Sequence, residues 1–542
     1  MKLAVLGNTN MDPLKSHLKD AFIAEMDRYV EFLLDSESIL YQHKPDVILL
    51  HLDGRQLLRD HFYRNPDNAL MEDLTARILA AVVAGSAHHP DAVMVLSTIV
   101  LPPFPFDSFM EATRSESFFT MEETYNQSVI DFARERSNVV VLDFARIVRL
   151  HGYQTVHDEK YWYLGRIRYS ERGFQWLHRE IIDLLNAHQG IRKKVLVLDL
   201  DNTLWGGVLG EEGVGGIALS EDGIGKVFRD FQLAVCSLKN LGVLLAVCSK
   251  NNAADVDAVF RDHPSMVLRK SDFIVTKIGW TNKPQSIREI AVELNLGLDS
   301  FVFIDDSPFE REMVRSQLQE VIVPDPPADP ALYPTWFLEE VVRRYFGRLD
   351  LTDEDRGKTE QYQRNIERIR MKDTLSFDDF LRELAVEVIL HIDPAHLKVR
   401  LAQLTQKTNQ FNLTIRRYDE NDLHRMIQSP DTAVFGLEYQ DRFGHEGIIG
   451  EIIVHLHDQV GEIDVFLLSC RVIGRRIERR FFHLVLENLK ERGIREIEAV
   501  YVPGPRNELV RDLYDSLGLT PRGENRYRAE VDRLLSRFQV DG

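Results

Sequence analysis

Cysteine is nearly absent: Cys236, Cys248 and Cys470 are the only three in 542 residues. Three scattered thiols exclude a disulfide framework and a cysteine-ligated zinc site, and they suit a reducing compartment. Long apolar runs are missing as well. No stretch approaches the roughly 20 apolar residues that a membrane helix needs. The opening MKLAVLGNTN is a short apolar strand running into a turn, without the apolar core of a signal peptide. Positive charge is in deficit, 66 Lys and Arg against 85 Asp and Glu, for a formal charge of −19. Such a surface is poorly suited to phosphate backbones, so nucleic acid is excluded as a partner. An acidic whole can still bear a basic docking patch for an acidic protein. The expectation is a soluble, cytoplasmic chain with no membrane segment, and it contains neither repeats nor low-complexity tracts.

What is present is globular in character, with 44% hydrophobic and 28% charged residues. The length exceeds what one core can organise, so three or four domains are expected. Over residues 1–190, the apolar runs KLAVLG, DVILLHL, AVMVLSTIV and NVVVLDF alternate with amphipathic segments. That pattern predicts buried parallel strands with helices between them. A second α/β unit spans 191–350, with strands in RKKVLVLDLDNT, VLLAVCS, DFIVTKIGW and SFVFIDDS and a wrapping loop at VPDPPADPALYP. Residues 351–374 read as a charged helical connector. Residues 375–542 place extended runs (AVEVILHI, TAVFGLEYQ, GIIGEIIVHLH, GEIDVFLLS) before a helix and a final strand IEAVYV, an α+β order with a largely antiparallel sheet. The fold class is multidomain α/β.

Asp199 and Asp201 follow the apolar strand VLVL directly. Such a strand ends at the carboxyl edge of a parallel sheet, where open α/β folds bind ligands. Two carboxylates held there can divide labour, one attacking phosphorus and the other exchanging a proton with the departing or entering oxygen. An Asp-rich turn after a strand is common, but three further elements extend this one. Ser249 ends a second strand, placed to hydrogen-bond a phosphoryl oxygen. Lys283 opens a helix and brings a positive charge, and Asp305 and Asp306 end a fourth strand. Mg²⁺ favours carboxylate and water oxygens, and Asp199 with the acidic pair supplies them. Metal and lysine together neutralise phosphoryl charge. The intervals of 50 residues from Asp199 to Ser249, 34 from Ser249 to Lys283 and 22 from Lys283 to Asp305 leave no room for a sizeable lid domain. An uncapped site implies a large substrate carrier or closure by flanking domains.

This order of motifs resembles the haloacid dehalogenase (HAD) superfamily. The surrounding text, DLDNTLWGGVLGEEG, VCSKNN, GWTNKPQSI and FVFIDDSPFEREMVR, resembles its FkbH-like family, a IIIC-type branch, as does LTQKTNQFNLTIRRY (404–418). The resemblance implies that Asp199 is the nucleophile and Asp201 the general acid/base. It implies that Asp199, the main chain at Asp201 and the Asp305–Asp306 pair hold Mg²⁺, and that Ser249 and Lys283 bind the phosphoryl group. Which of Asp305 and Asp306 touches the metal is left open.

In the C-terminal part, SCRVIGRRIERRFFHLVLENLKERG followed by IEAVYVP and RNELVRDLYDSLGL resembles an N-acetyltransferase (GNAT) fold, in which a turn of small residues opening a helix binds the pyrophosphate of coenzyme A. Here Arg475 and Arg476 follow Gly474, which argues against ordinary acetyl-CoA binding. Five arginines between Arg471 and Arg480 read either as a solvated helix face or as a patch for phosphate or a carrier, with Arg471, Arg475 and Arg476 as candidates. Cys470 and Cys248 are candidate acyl-bearing thiols, against the plainer reading of both as small core residues. The N-terminal domain resembles an SGNH-hydrolase scaffold, with Thr9 at the nucleophile position and Asp158 preceding Tyr161 where that chemistry needs a histidine; His157 is out of register. It reads as a degenerate, non-catalytic hydrolase fold serving recognition or scaffolding.

Taken together, the resemblance implies an enzyme that takes a glyceryl unit from 1,3-bisphosphoglycerate to the phosphopantetheine thiol of an acyl carrier protein and releases phosphate, feeding polyketide-type pathways. The alternatives are a phosphomonoesterase or acyl-transfer enzyme acting on another small phosphorylated acid, for example in surface-polysaccharide assembly, and a non-catalytic assembly protein.

Overall fold

The computed structural model describes residues 1–103, 108–349, 362, 364, 367–368, 371, 375–469, 472–504 and 506–540. The chain forms two compact units, Met1–Asn186 and Ala187–Gly542.

The first unit is built on five short strands: β1 (Leu3–Gly7), β2 (Phe22–Ile23), β3 (Val47–His51), β4 (Val93–Ser97) and β5 (Val139–Leu142). All pair in parallel, in the order β2-β1-β3-β4-β5. Side chains alternate across a strand, and here both faces are buried. Ala4, Leu6, Ile48, Leu50, Met94 and Leu96 enter one core, while Leu3, Val5, Val47, Leu49 and Val95 enter the other. Helices α1 (Asn68–His88) and α2 (Phe118–Arg134) cover the first face and α3 (Glu171–His188) the second. The four apolar runs read from the sequence are β1, β3, β4 and β5; β2, only two residues long, gives no pattern to read.

The second unit contains two sheets. The first is parallel, ordered β8-β7-β6-β9, from β6 (Val195–Leu198), β7 (Leu244–Ser249), β8 (Phe273–Ile278) and β9 (Phe301–Ile304). Leu196, Leu198, Leu245 and Val247 face one core together with α4 (Gly223–Asn240) and α5 (Ala253–Asp262). Val195, Val197, Phe301 and Phe303 face the other, with α6 (Lys283–Leu294) and α7 (Pro308–Gln317). The proline-rich loop after Val323 returns as a helical stretch whose Tyr333, Phe337, Val341 and Phe346 complete the first of these cores. No domain is inserted between β6 and α7, so the edge that carries the aspartates is uncapped.

The second sheet has seven strands, β10 (Glu387–Ile392), β11 (Thr432–Asp441), β12 (Gly444–His457), β13 (Val460–Leu468), β14 (Glu496–Val500), β15 (Thr520–Pro521) and β16 (Arg526–Glu530), ordered β10-β11-β12-β13-β14-β16-β15. All its pairings are antiparallel except β13 with β14. IEAVYV is therefore not the final strand, because β15 and β16 follow it. The β13–β14 pairing ends at Ile463 and Ala499, after which the strands part. Residues 411–413 fill the gap: Leu413 N–H donates to Phe466 O (3.1 Å), Leu468 N–H to Phe411 O (3.0 Å) and Val502 N–H to Leu413 O (2.8 Å). Of the charged 351–374 segment, Arg368 is buried, in a bidentate pair with Asp441 (2.7 Å to each oxygen) and 2.6 Å from Glu446. No helix among the described residues is long and apolar enough to cross a membrane.

Two buried histidines set an acid limit on the first unit. His51 stands with neither ring nitrogen hydrogen-bonded, packed on Phe144 and Tyr169, and burial pushes its pKa down to about 3. His157 is held at about 3 by burial and then by the Arg168 charge. The unfolded chain binds protons near pH 6.5 and the folded one does not, so this stability is complete above about 6.5 and drains as pH falls toward 3. Each ring should cost roughly 3 kcal/mol by pH 4. Calorimetric melting between pH 8 and 4 should show the N-terminal transition falling on the acid side, and His51→Leu should flatten that slope.

Candidate active site

The parallel sheet of the second unit ends at a dense carboxylate cluster. Asp199 directly follows β6, and its N–H donates to Ile304 O at 3.0 Å, which ties it to the end of β9. Asp305 and Asp306 directly follow β9. One carboxylate oxygen from each of Asp199, Asp305 and Asp306 lies within 4.8 Å of the others. Lys283 is the first residue of α6, whose N-cap Asn282 accepts Gln285 N–H at 3.0 Å and so sets where the helix begins. From there Nζ reaches Asp199 Oδ1 at 2.9 Å and Asp305 Oδ2 at 2.5 Å.

Asp199, Lys283 and Asp305 are buried and Asp306 is half-buried. Burial works against the Lys283 ammonium, but Asp199 and then Asp305 outweigh it and raise its pKa. Burial, then the Asp199 charge, pushes Asp305 up to about 6 despite Lys283. The same two causes raise Asp306. Three carboxylates against one ammonium leave excess negative charge in a place where charge is expensive. A hard divalent cation, with an all-oxygen donor set converging on one point, fits that imbalance.

Asp201 stands apart from this cluster. Its Oδ1 accepts Trp205 Nε1 (2.9 Å) and Leu209 N–H (3.2 Å), and its Oδ2 accepts Asn251 Nδ2 (3.0 Å). The intervening turn is shaped by Asn202, in the left-handed region at φ 51°, whose side chain accepts Gly207 N–H at 2.8 Å. Ser249, at the end of β7, is buried and its Oγ accepts the same Asn251 amide at 3.2 Å. Asp199, Lys283, Asp305 and Asp306 thus form one group, and Asp201 and Ser249 are joined through Asn251.

Sequence reasoning passed over two residues. Asn251 was in view within VCSKNN, but an amide has no obvious catalytic role, so nothing singled it out. Arg311 lies on α7, and its Nη1 donates to the carbonyls of Asp305 (2.9 Å) and Asp306 (2.6 Å). It fixes the turn that aims both carboxylates, and its only signal was a charged helix face.

Cys248 faces away from Ser249 into the opposite core. Its thiol lies 3.9 Å from Lys283 O, and burial pushes its pKa up to about 12. Cys470 and Arg471 lie outside the described residues. Arg475 is 7% exposed and points into the sheet, donating to Tyr439 OH at 2.9 Å with Asp441 at 3.7 Å. Arg476 is the N-cap of α8 (Ile477–Glu491), at φ 57°. In the first unit, Thr9 is buried with its hydroxyl on Met11 Sδ (3.6 Å). His157 Nδ1 meets Tyr153 O at 3.0 Å, and the Asp158 carboxylate caps a helix through Tyr161 N–H (2.9 Å).

Neither a protein-family model nor a curated protein matches the chain. Among solved structures, the N-terminal part of protein BF1531 from Bacteroides fragilis, which contains a phosphatase domain and was crystallised with Mg, is 32% identical. That match covers 62% of this chain and 92% of the other, with a TM-score of 0.57. A spermidine N-acetyltransferase from Vibrio cholerae matches at 13% identity over 28% of this chain and 98% of its own, with a TM-score of 0.23. The fold and the site define a multidomain α/β protein with a carboxylate–lysine centre at a parallel-sheet edge. At this identity and coverage, the chain belongs to the family of the Bacteroides fragilis protein.

Lys283 is what makes this cluster tolerable without a cation. Lys283→Met should therefore lower the stability of the metal-free second unit by about 3–5 kcal/mol, since it leaves buried charge uncompensated. Millimolar Mg²⁺ should then raise the melting temperature of the variant more than that of the wild type. Equal metal-free melting temperatures would contradict the charge argument.

Proposed function

We propose that the chain is a Mg²⁺-dependent phosphoryl-processing enzyme of HAD type. The observation that carries this is the Lys283 ammonium bridging Asp199 and Asp305 while Asp306 converges on the same point. Asp199, Asp305 and Asp306 would hold the cation, with the main chain at Asp201. Bound there, Mg²⁺ supplies charge neutralisation for the phosphoryl oxygens.

The residues of the chain would do the rest. Lys283 screens the Asp199 carboxylate from the negative substrate, so that a carboxylate oxygen can approach phosphorus. Ser249 Oγ can donate to a phosphoryl oxygen. Asp201, oriented by three donors, is positioned to give a proton to a departing oxygen and to take one from an entering water. The relative from Bacteroides fragilis, with its phosphatase domain and bound Mg, supports this reading.

The finer proposal rests on the resemblance to the FkbH-like family. The substrate is 1,3-bisphosphoglycerate, the acceptor is the phosphopantetheine thiol of an acyl carrier protein in a polyketide-type pathway, and the setting is cytoplasmic. The uncapped sheet edge supports a substrate delivered by a macromolecule. Two observations favour a second reading, a phosphatase acting on a small phosphorylated acid. Cys248 is buried with its pKa at about 12, which makes it a poor acyl-bearing thiolate. The opening between β13 and β14 is filled by residues 411–413, so an extended arm cannot pair with those strands there.

Intact-protein mass spectrometry separates the two. The chain, a holo acyl carrier protein, enzymatically generated 1,3-bisphosphoglycerate and Mg²⁺ should yield a glyceryl-sized adduct on the carrier, and Asp199→Asn should abolish it. Free phosphate with an unmodified carrier, still dependent on Asp199, would establish the phosphatase and overturn glyceryl transfer for that pair. Turnover that survives Asp199→Asn would overturn both.

A further inference from the structure

The first unit holds a cavity of about 340 Å³ that has no part in the phosphoryl chemistry; Asp27, Arg55, Arg59, Trp162, Tyr163 and Arg166 are among its lining residues. Its place in the fold is informative. Asp27 N–H donates to Gly7 O, at the end of β1, at 3.1 Å, and Asn10 N–H, in the loop after β1, donates to Arg166 O at 3.0 Å. Arg55 lies on the short helix that follows β3. The cavity therefore opens at the carboxyl edge of a parallel sheet, where open α/β folds take their ligands.

Its floor is rigid. Arg55 donates to Glu159 Oε2 (2.7 Å), Tyr63 OH (2.7 Å) and Tyr163 OH (3.0 Å), and its guanidinium lies 5.5 to 5.9 Å from the ring centroids of Phe62, Tyr63, Trp162 and Tyr163. Glu159 is held in turn by Arg168 (2.9 Å), which is fully buried and also reaches Asp53 at 3.1 Å. Ion networks whose inner end is buried, as Asp53–Arg168 is here while Glu159 is half-exposed, add little net stability compared with an apolar core of the same volume. They do fix the position of what they hold.

The mouth differs. Arg59 and Arg166 are mostly exposed and straddle the single Asp27 carboxylate at 3.7 and 3.6 Å, beyond hydrogen-bond distance. Asp27 Oδ2 accepts Gln56 Nε2 at 2.9 Å, while Oδ1 is buried without a hydrogen-bond partner. An orphaned buried carboxylate oxygen is costly and calls for a donor. Asp27, Arg59 and Arg166 all hold positive φ, at 66°, 49° and 54°. Arg59 and Arg166 are the C-cap residues of the helices Gly54–Leu58 and Glu159–Gly165, so the two helix ends set where both guanidiniums stand. Two exposed guanidiniums that make no close hydrogen bond to Asp27 match an oxyanion, the orphaned oxygen matches a hydroxyl, and the flat rings of Trp162 and Tyr163 match a short carbon skeleton.

We propose that this cavity binds a small hydroxylated organic anion, with its phosphate or carboxylate between Arg59 and Arg166 and a hydroxyl donating to Asp27 Oδ1. Isothermal titration calorimetry of the full chain in EDTA tests it, with glycerol 3-phosphate, glycerate, propionate and inorganic phosphate as probes. At least one of the two hydroxylated anions should saturate the wild type in the sub-millimolar range; whichever is tighter identifies the oxyanion. Arg59→Gln with Arg166→Gln should weaken it at least about tenfold, the loss expected for a charged hydrogen-bonded pair. Both side chains are exposed, so an unchanged melting temperature is expected, and Arg166→Gln alone repeats the test with the smaller perturbation. Asp27→Asn should erase the preference for glycerate over propionate. No saturable binding by either hydroxylated anion, affinity unchanged in the arginine variants, or equal affinity for inorganic phosphate would overturn the proposal.

Discussion

The second unit depends on one ammonium group. Lys283 Nζ sits between Asp199 and Asp305 at 2.9 and 2.5 Å, and this contact joins the ends of β6 and β9 to the start of α6. Burial, and then repulsion from Asp199, raises the pKa of Asp305 and Asp306. Without a counter-charge the two strand ends would be driven apart. The lysine holds them close enough to share a cation. The charge that steadies the apo site is thus the charge that a phosphoryl substrate would meet.

That placement is a consequence of burial elsewhere. β6 alternates Val195 and Val197 into one core and Leu196 and Leu198 into the other, so a one-residue slip would exchange the two sets. The register of β6 against β9 pairs Leu198 with Ile304, which brings Asp199 and Asp305 out of the sheet side by side. The apolar strands fix where the carboxylates emerge, and Arg311 and Asn282 fix how they are aimed. Little of this requires residues that look catalytic.

The long apolar strands were legible because a buried parallel strand leaves an unbroken run such as VLVL, VLLAVCS or FVFI. The acidic and basic residues that follow those strands were legible because polar groups directly after a buried strand are chemically conspicuous. Contacts between distant segments were not. Asn251 joins Asp201 to Ser249, residues 411–413 pair with β13 and with the chain just past β14, and Arg475 turns inward to Tyr439 instead of extending the surface arginine row; each depends on three-dimensional proximity that no local pattern encodes. The strands β2 and β15 are two residues each, shorter than any periodicity can register.

The first unit shows the same limit from the other side. Its sequence reads as a scaffold because Thr9 stands at the nucleophile position and Asp158 precedes Tyr161 where a hydrolase needs a histidine, with His157 out of register; the structure places His157 on Tyr153 O and Thr9 on Met11 Sδ. Yet a pure scaffold has no use for the fully buried Asp53–Arg168 pair, which continues through the half-exposed Glu159 to Arg55, since apolar side chains in place of a buried pair would serve as well or better. A buried ion pair carried out to one sheet edge, where two exposed guanidiniums flank Asp27, favours a function at that edge that does not depend on the hydrolase positions.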